Sequence, residues 1–339
     1  MIENKTLNNF ITEEDFSQSG AESTLIPIKI ANEIVQSYID NLNETDLYEA
    51  EASLNDISSL VHRVINQKNN VGDASDWHNF AVDVARKNLY DLACDLLECA
   101  LDIYPKNIDL LADYLQNGIS CGRIDKCKAY YKTLSVIPKI RWTWRGYSFT
   151  INYLMYLWDR CDSEKELEKI KNEMLNLADE FKNNLPYDEE CYRCKADICK
   201  LLHDKKAEEE SLREALENVK IAPKCALRLS DLLFERGDYE ESLSYIQRGL
   251  RDAMQTQRSI NDGYLYYLRG LSKMALAQQS DEPFTDTLAE DIYSDFDISL
   301  HQEKRPAYLN TMRAKTLILL NKSGHQIPEA FEELNYLIQ

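Results

Sequence analysis

Small and large apolar residues recur at fixed intervals between residues 77 and 105, and this spacing constrains the fold more than any other feature of the chain. The positions are Trp77, Phe80, Ala81, Val84, Ala93, Leu97, Ala100 and Pro105. The alanines allow two helix backbones to approach closely, while the large side chains fill the remaining space. Pro105 then ends the second helix, because proline lacks an N–H group and clashes with the preceding turn. The segment is predicted to form an antiparallel helix pair that cannot bury its apolar faces alone.

The same spacing resembles the tetratricopeptide repeat, in which W-x2-L-G-x2-Y is followed by A-x3-F and then P. The less specific interpretation is an ordinary amphipathic helical hairpin. A second good match covers residues 225 to 254, and weaker matches cover 111 to 138 and 264 to 300, the last interrupted by an insertion at 278 to 287. The resemblance implies an all-α fold, a right-handed superhelix of antiparallel helix pairs, with about seven pairs in all.

Helical periodicity extends over most of the remaining sequence. The predicted helices are Ile28–Asn41, Asp46–Gln67, Trp142–Trp158, Glu164–Asn183, Tyr192–Leu202, Glu208–Val219, Pro306–Leu320 and a last one from Pro328 onward. We therefore expect a flexible N-terminal tail at residues 1–24, a capping or degenerate helix pair at 25–70, and a repeat domain at 71–339. The alternative for the tail is a short segment that folds on a partner.

The net charge of the chain limits its partners. The formal charge is −19, and basic residues are interleaved with acids, whereas nucleic-acid binding requires a basic patch. Such a charge either keeps the protein in solution or attracts a basic partner surface. The sequence contains no apolar run of the length that a membrane helix requires, and its N-terminus lacks the order of a secretion signal. We expect a cytoplasmic protein that binds neither nucleic acid nor a membrane.

The cysteines do not form a disulfide or zinc pattern that the predicted helices can support. There are nine of them, and their odd number and helical positions argue against a secreted disulfide framework. The spacing of Cys191, Cys194, Cys199 and His203 superficially suggests zinc. On one straight helix these side chains spread over about 18 Å of the axis and cannot converge on one ion. We predict no metal and no cofactor, with the cysteines acting as small apolar residues or surface thiols.

Catalytic motifs are absent from the sequence. None of the five histidines occurs in H-E-x-x-H, and there is no nucleophile elbow and no glycine-rich phosphate loop. The acids lie in charged helical runs such as Glu164–Glu173 and Glu208–Glu214, which are typical of solvated faces. We predict that the protein is not an enzyme. An enzyme whose site is assembled from distant residues is the alternative.

In tetratricopeptide-repeat proteins the first helix of each pair lines the concave face, so the resemblance implies a partner site there. The implied site residues are His78, Arg86, Gln116, Arg193, Asp197, Lys200, Lys224, Arg228, Asp231, Tyr264 and Tyr267. The four cations at positions 193, 200, 224 and 228 are expected to cluster and to hold a carboxylate-rich or C-terminal peptide. The two tyrosines would add aromatic contact area. The alternative is that these cations only balance the acids of adjacent helices.

These patterns favour a non-catalytic scaffold, adaptor or regulatory subunit that binds a protein or peptide on its concave face. The partner is expected to present either a basic surface or a carboxylate-bearing peptide. Some relatives grip a terminal carboxylate with a lysine and asparagine set, but this chain has His78 and Val82 at corresponding positions. The alternative function is a peptide-gated sensor, in which the pitch of the superhelix changes when a ligand binds.

Overall fold

The chain folds into helices throughout the part that a computed structural model describes, namely residues 27–41, 47–67, 72–256, 262–279 and 285–302 together with Thr316. Fourteen α-helices and no strand occur in these ranges, which confirms the prediction of an all-α fold. None of these helices has both the length and the apolar character that crossing a membrane demands. The predicted tail at 1–24 and the predicted last helix pair at 306–339 lie outside the described residues, apart from Thr316.

The chain divides into two compact units, Met1–Cys127 and Lys128–Gln339. The helices of the first unit are α1 (Ile28–Asn41), α2 (Leu47–Ile65), α3 (Ala74–Arg86), α4 (Tyr90–Ile103), α5 (Ile108–Cys121) and the start of α6 (Ile124–Ser135). Helix α1 packs on α3, and α2 packs on α4. Helix α3 packs on α5 in the same way. Helices α1 and α2 therefore continue the stacking of the helix pairs that follow them.

The motif that opened the sequence analysis forms the interface between α3 and α4. Trp77 is 2% exposed, and Phe80, Ala81, Val84, Ala93, Leu97 and Ala100 are 0% exposed. A reciprocal capping box fixes the start of α3, because Asp73 accepts a hydrogen bond from Asp76 N and Asp76 accepts one from Asp73 N, both at 3.0 Å. Helix α4 ends just before Pro105. The predicted helix pair is confirmed in position and in packing.

The second unit continues the same arrangement after a 3₁₀ helix at Lys139–Arg141. Its α-helices are α7 (Trp144–Trp158), α8 (Glu164–Asn184), α9 (Glu189–Leu201), α10 (Lys205–Asn218), α11 (Pro223–Arg236), α12 (Tyr239–Ala253), α13 (Asp262–Gln279) and α14 (Asp286–Gln302). Among the first helices, α7 contacts α9, α9 contacts α11 and α11 contacts α13. The second helices α8, α10 and α12 each contact the first helix of the following pair. A repeat array stacks neighbouring pairs in this way.

Two glycines allow α11 and α12, the helix pair of the second good repeat match, to pack closely. Gly237 ends α11 in the left-handed region, with φ of 93°, which a glycine adopts without steric cost. Gly249 lies where α12 meets α11 and α13. A Cβ atom there would be 3.1 Å from Leu265 Cδ2 and 3.4 Å from Ala226 Cβ. The sequence therefore closes this helix pair with one glycine and packs it tightly with another.

Two helices begin about one turn earlier than the sequence predicts, because each has an aspartate cap. Helix α9 begins at Glu189, since the side chain of Asp188 accepts a hydrogen bond from Glu190 N at 3.1 Å. Helix α10 begins at Lys205, since Asp204 accepts one from Ala207 N at 3.0 Å. Caps of this kind satisfy N–H groups that the first helical turn leaves unpaired. The added turn of α9 brings Glu189 and Glu190 into a helix of the candidate site.

Candidate functional site

Seven of the predicted site residues lie together on the first helices of the second unit. We call them the first-helix face: Arg193, Asp197 and Lys200 on α9, Lys224, Arg228 and Asp231 on α11, and Tyr264 on α13. Helix α11 contacts both α9 and α13, which explains why residues distant in sequence come together. Side chains from three successive first helices therefore lie near one another in this unit.

Arg193 is the centre of the polar contacts on this face. Its Nε donates to Glu190 Oε2 at 2.6 Å, and its Nη1 donates to Asp197 Oδ2 at 2.5 Å. These carboxylates are three residues before and four residues after the arginine, the spacing that places side chains on one helical face. Nη2 also donates to Ser148 Oγ on α7 at 3.3 Å. The guanidinium group thus links two successive first helices.

Cations on α11 extend these contacts to the next helix pair. The ammonium group of Lys224 contacts Glu190, which is 1% exposed. Arg228 Nη2 lies 3.1 Å from Glu208 Oε1 on α10 and 3.5 Å from Asp197 Oδ1 on α9. Because Glu208 is also buried, the α11 cations neutralise acids that would otherwise be unpaired inside the protein.

The carboxylates of this network respond differently to their surroundings. Burial opposes ionisation of Glu190, but the charges of Arg193 and Lys224 outweigh it and hold the pKa of Glu190 below its ordinary value. Burial prevails at Asp197, whose pKa is raised although Arg193 and Arg228 lie beside it. Glu190 therefore keeps its negative charge to a lower pH than an ordinary glutamate does, and Asp197 protonates at a higher pH than an ordinary aspartate does.

Arg193, Lys224 and Arg228 lie around shared carboxylates and do not form an open positive patch. Arg193, Lys224 and Arg228 each have a carboxylate partner, and two of these carboxylates are buried. Lys200 is exposed at the end of the row. Glu190 lay outside the predicted helix, which was expected to begin at Tyr192, and Glu208 was assigned to a solvated acidic run. The aspartate cap at Asp188 was the signal that could have located Glu190.

Glu189, which the sequence analysis also missed, serves the N-terminus of α11. Its Oε2 accepts hydrogen bonds from Lys224 N at 3.0 Å and from Cys225 N at 3.4 Å. Helix α11 has no side-chain cap of its own at Ala222, so a residue from the preceding pair satisfies its free N–H groups. Burial raises the pKa of Glu189 to about 7 despite the opposing charge of Lys224.

Tyr264 and Tyr267 have different environments. The hydroxyl of Tyr264 donates to Asp231 Oδ1 at 2.8 Å, which joins α13 to α11 at the half-buried edge of the face. Tyr267 is only 3% exposed, and its ring packs edge-on against Phe296 of α14 with centroids 5.8 Å apart. The placement of Tyr267 on a partner surface is therefore wrong: residues three apart differ by about 60° around a helix, which is enough to turn Tyr267 from the edge of the face into the core.

The remaining predicted site residues lie in the first unit. His78 Nδ1 on α3 contacts the carboxylate of Asp113, a buried acid on α5. Arg86 is exposed and donates to Asp83 Oδ1 at 2.8 Å. Gln116 is half-buried on α5. The contact of His78 with Asp113 thus joins successive first helices in the first unit, and Asp113 was hidden in an apolar run of the sequence.

The cysteines with zinc-like spacing are separate thiols. Cys191, Cys194 and Cys199 are buried on α9 and unpaired, and burial raises the pKa of Cys191 to about 12. A buried thiol with a raised pKa is a poor nucleophile and a poor metal ligand. Across the described ranges, no set of histidine, cysteine and acidic side chains has the arrangement that a metal ion needs.

Comparison with known proteins gives structural neighbours but no sequence relatives. No family model matches the chain, and no curated protein matches it. Solved structures similar to it include TTC0263, a thermophilic TPR protein of Thermus thermophilus, at 19% identity over 60% of this chain and 99% of that one, with a TM-score of 0.46. A tetratricopeptide repeat protein from Parabacteroides merdae ATCC 43184 is 15% identical over 85% and 99%, with a TM-score of 0.47.

Human IFIT1, in a dimer with PPP-AAAA, is 15% identical over 93% of this chain and 68% of that one, with a TM-score of 0.46. These identities and scores are too low to assign a ligand or a partner to the present chain. The spaced motif at residues 77–105 is buried as the repeat pattern requires, and the helix pairs within each unit pack on their neighbours. The described part of the chain therefore has a tetratricopeptide-like helical-repeat fold.

Proposed function

We propose that this chain is a non-catalytic scaffold or regulatory subunit that binds a protein partner on its first-helix face. The proposal extends the general role of helical-repeat arrays, whose stacked first helices offer a long surface to a partner. The negative charge of the chain, −19, supports a protein rather than a nucleic acid as that partner.

The observation that carries this proposal is the linked row of Arg193, Asp197 and Arg228. Their side chains are 27%, 20% and 29% exposed, so each reaches solvent while its position is fixed by neighbours. A partner that binds such groups loses little side-chain entropy, because the groups are already ordered. Fixed charges of both signs also select the orientation of a partner.

Lys200 allows this surface to be tested without disturbing the fold. Lys224 and Arg228 neutralise buried acids, so replacing either of them would destabilise the protein. Lys200 is exposed on α9, and Lys206 is equally suited as a control because it is exposed on the second helix α10. The variants Lys200→Glu and Lys206→Glu carry the same change of charge on different faces.

The experiment first identifies partners by affinity purification and mass spectrometry, at low and high salt, from the organism that encodes the chain. The affinity of a purified partner is then measured for the wild type and both variants. We expect Lys200→Glu to change the affinity at least about fivefold, weaker for a partner that presents carboxylates and stronger for a basic one. Lys206→Glu should leave it unchanged. Equal affinities for all three proteins would contradict the proposal.

A further inference from the structure

A cavity lies at the turns of the second unit. Its volume is about 610 Å³, and it is formed by the turn from α8 to α9, the turn from α10 to α11 and the end of α12. Leu185, Pro186, Tyr187 and Ile221 give it apolar walls, and Asp188 and Glu189 are its acidic lining residues. This combination suits a group with an apolar stem and a cationic end.

One carboxyl oxygen at this cavity has an unfilled hydrogen-bonding capacity. Glu189 is 4% exposed, and its Oε2 accepts the two N–H groups at the start of α11. Its Oε1 receives no hydrogen bond from any residue in the described ranges. The nearest ammonium group on α11 is committed elsewhere, since Lys224 Nζ contacts Glu190. Among the described residues Glu189 therefore forms no ion pair, although the charge of Lys224 acts on it.

The walls of the cavity are held in place by hydrogen bonds. Tyr192 Oη donates to the carbonyl of Pro186 at 3.1 Å, and Asp188 N donates to the carbonyl of Leu185 at 3.1 Å. Tyr187 is held between these fixed points, yet its side chain is 81% exposed and contributes nothing to the core. Preformed walls reduce the cost of ordering a ligand site.

We propose that this cavity binds the side chain of a lysine or arginine in a basic, partly apolar segment of a protein partner. The cationic group lies at Glu189 and Asp188, and the aliphatic stem lies against Leu185, Pro186 and the ring of Tyr187. Charge complementarity supports this occupant, because the acids of the cavity belong to a chain whose net charge is −19. The site differs from the first-helix face, although Glu189 contacts the backbone of Lys224, a residue of that face.

Fluorescence anisotropy with a labelled synthetic peptide tests the proposal. The peptide is acetylated and amidated and carries one lysine between two leucines. A second peptide has norleucine in place of the lysine, which keeps the stem and removes the charge. We expect the lysine peptide to bind at least about tenfold more tightly, as a hydrogen bond to a charged group warrants. Equal binding of the two peptides, or no binding of the lysine peptide at millimolar protein, would overturn the proposal.

Three variants locate the binding. Glu189→Gln keeps an acceptor for the N–H groups of α11 and removes the charge, so we expect at least about tenfold weaker binding of the lysine peptide. Tyr187→Ala removes an exposed wall and should weaken it about threefold. Ile140→Ala is the matched control, because Ile140 is similarly exposed on another turn of this unit, and it should have no effect. Unchanged binding in both cavity variants would refute the assignment.

Two further measurements separate this site from its alternatives. Free butylamine should compete with the peptide only weakly, because it lacks the flanking apolar residues; competition at the affinity of the peptide would show that the site takes a small amine instead. Lys200→Glu, which tests the first-helix face, should leave the lysine peptide unaffected. A large loss in Lys200→Glu would place the peptide on that face and overturn the cavity site.

Discussion

Replacing Glu189 by glutamine is expected to change how the stability of the protein depends on pH. The carboxyl group is 4% exposed, and burial raises its pKa from an ordinary value of 4.5 to about 7. The folded state therefore holds this proton more tightly than the unfolded state does. Its contribution to stability is fully present below pH 4.5 and is lost as the pH rises through about 7.

The magnitude follows from the difference between the two pKa values. The pKa of Glu189 rises from 4.5 in the unfolded state to about 7 in the folded state. At about 1.4 kcal/mol for each unit of pKa, the stability that is lost when the group ionises amounts to about 3 kcal/mol. Glutamine does not ionise, and its side-chain oxygen can accept from Lys224 N and Cys225 N as Glu189 Oε2 does. The free energy of unfolding of Glu189→Gln, relative to that of the wild type, should therefore rise by about 3 kcal/mol between ~pH 4.5 and ~pH 8.

Urea unfolding followed by far-ultraviolet circular dichroism, at several pH values across this interval, measures the effect. The free energy of unfolding of the wild type is subtracted from that of the variant at each pH, so that contributions from all other groups cancel. Glu240→Gln, an exposed glutamate in the first turn of α12, is the control and should show no such trend. If the curves of the wild type and Glu189→Gln run parallel, the argument from burial is refuted.

Two predictions test the packing of the helix pairs. Ala93→Glu places a charge at a fully buried helix contact and should cost about 3 kcal/mol or more, seen as a lower melting temperature; an unchanged melting temperature would refute the register. Gly118→Ala places a methyl group against Cys127 Sγ and should cost about 1–3 kcal/mol. Adding Cys127→Ala should recover most of that loss in a double-mutant cycle, and strictly additive effects would contradict the contact.

The helix pairing could be predicted because it depends on local spacing. Ala81, Ala93 and Ala100 are small at positions where two backbones meet, and any other packing would leave their neighbours exposed. The prediction needed no knowledge of distant contacts, since each pair packs mainly on the pairs beside it. This is why the segment from Trp77 to Pro105 was located correctly while the partners of individual charges were not.

The candidate site was only partly predictable, because its key acids depend on helix ends and on contacts between pairs. Pro186 indicated a break, but the cap at Asp188 starts α9 a turn earlier and turns Glu190 inward. No periodicity shows that Arg193 lies between two carboxylates of its own helix and a serine of another. Tyr267 was assigned to the correct helix but to the wrong side of it. Pattern matching alone does not correct such an error in the rotation of a helix.

The contacts of Glu189 and Glu190 with α11 determine where this polypeptide can be shortened. A fragment that stopped after α10 would leave both glutamates facing water with neither the backbone amides nor the ammonium group that they hold in the intact chain. A fragment that began at α11 would start with a helix whose first amides have lost their acceptor. Division by sequence repeats would cut at this point, so fragments intended for expression should retain α9 to α12 as one piece.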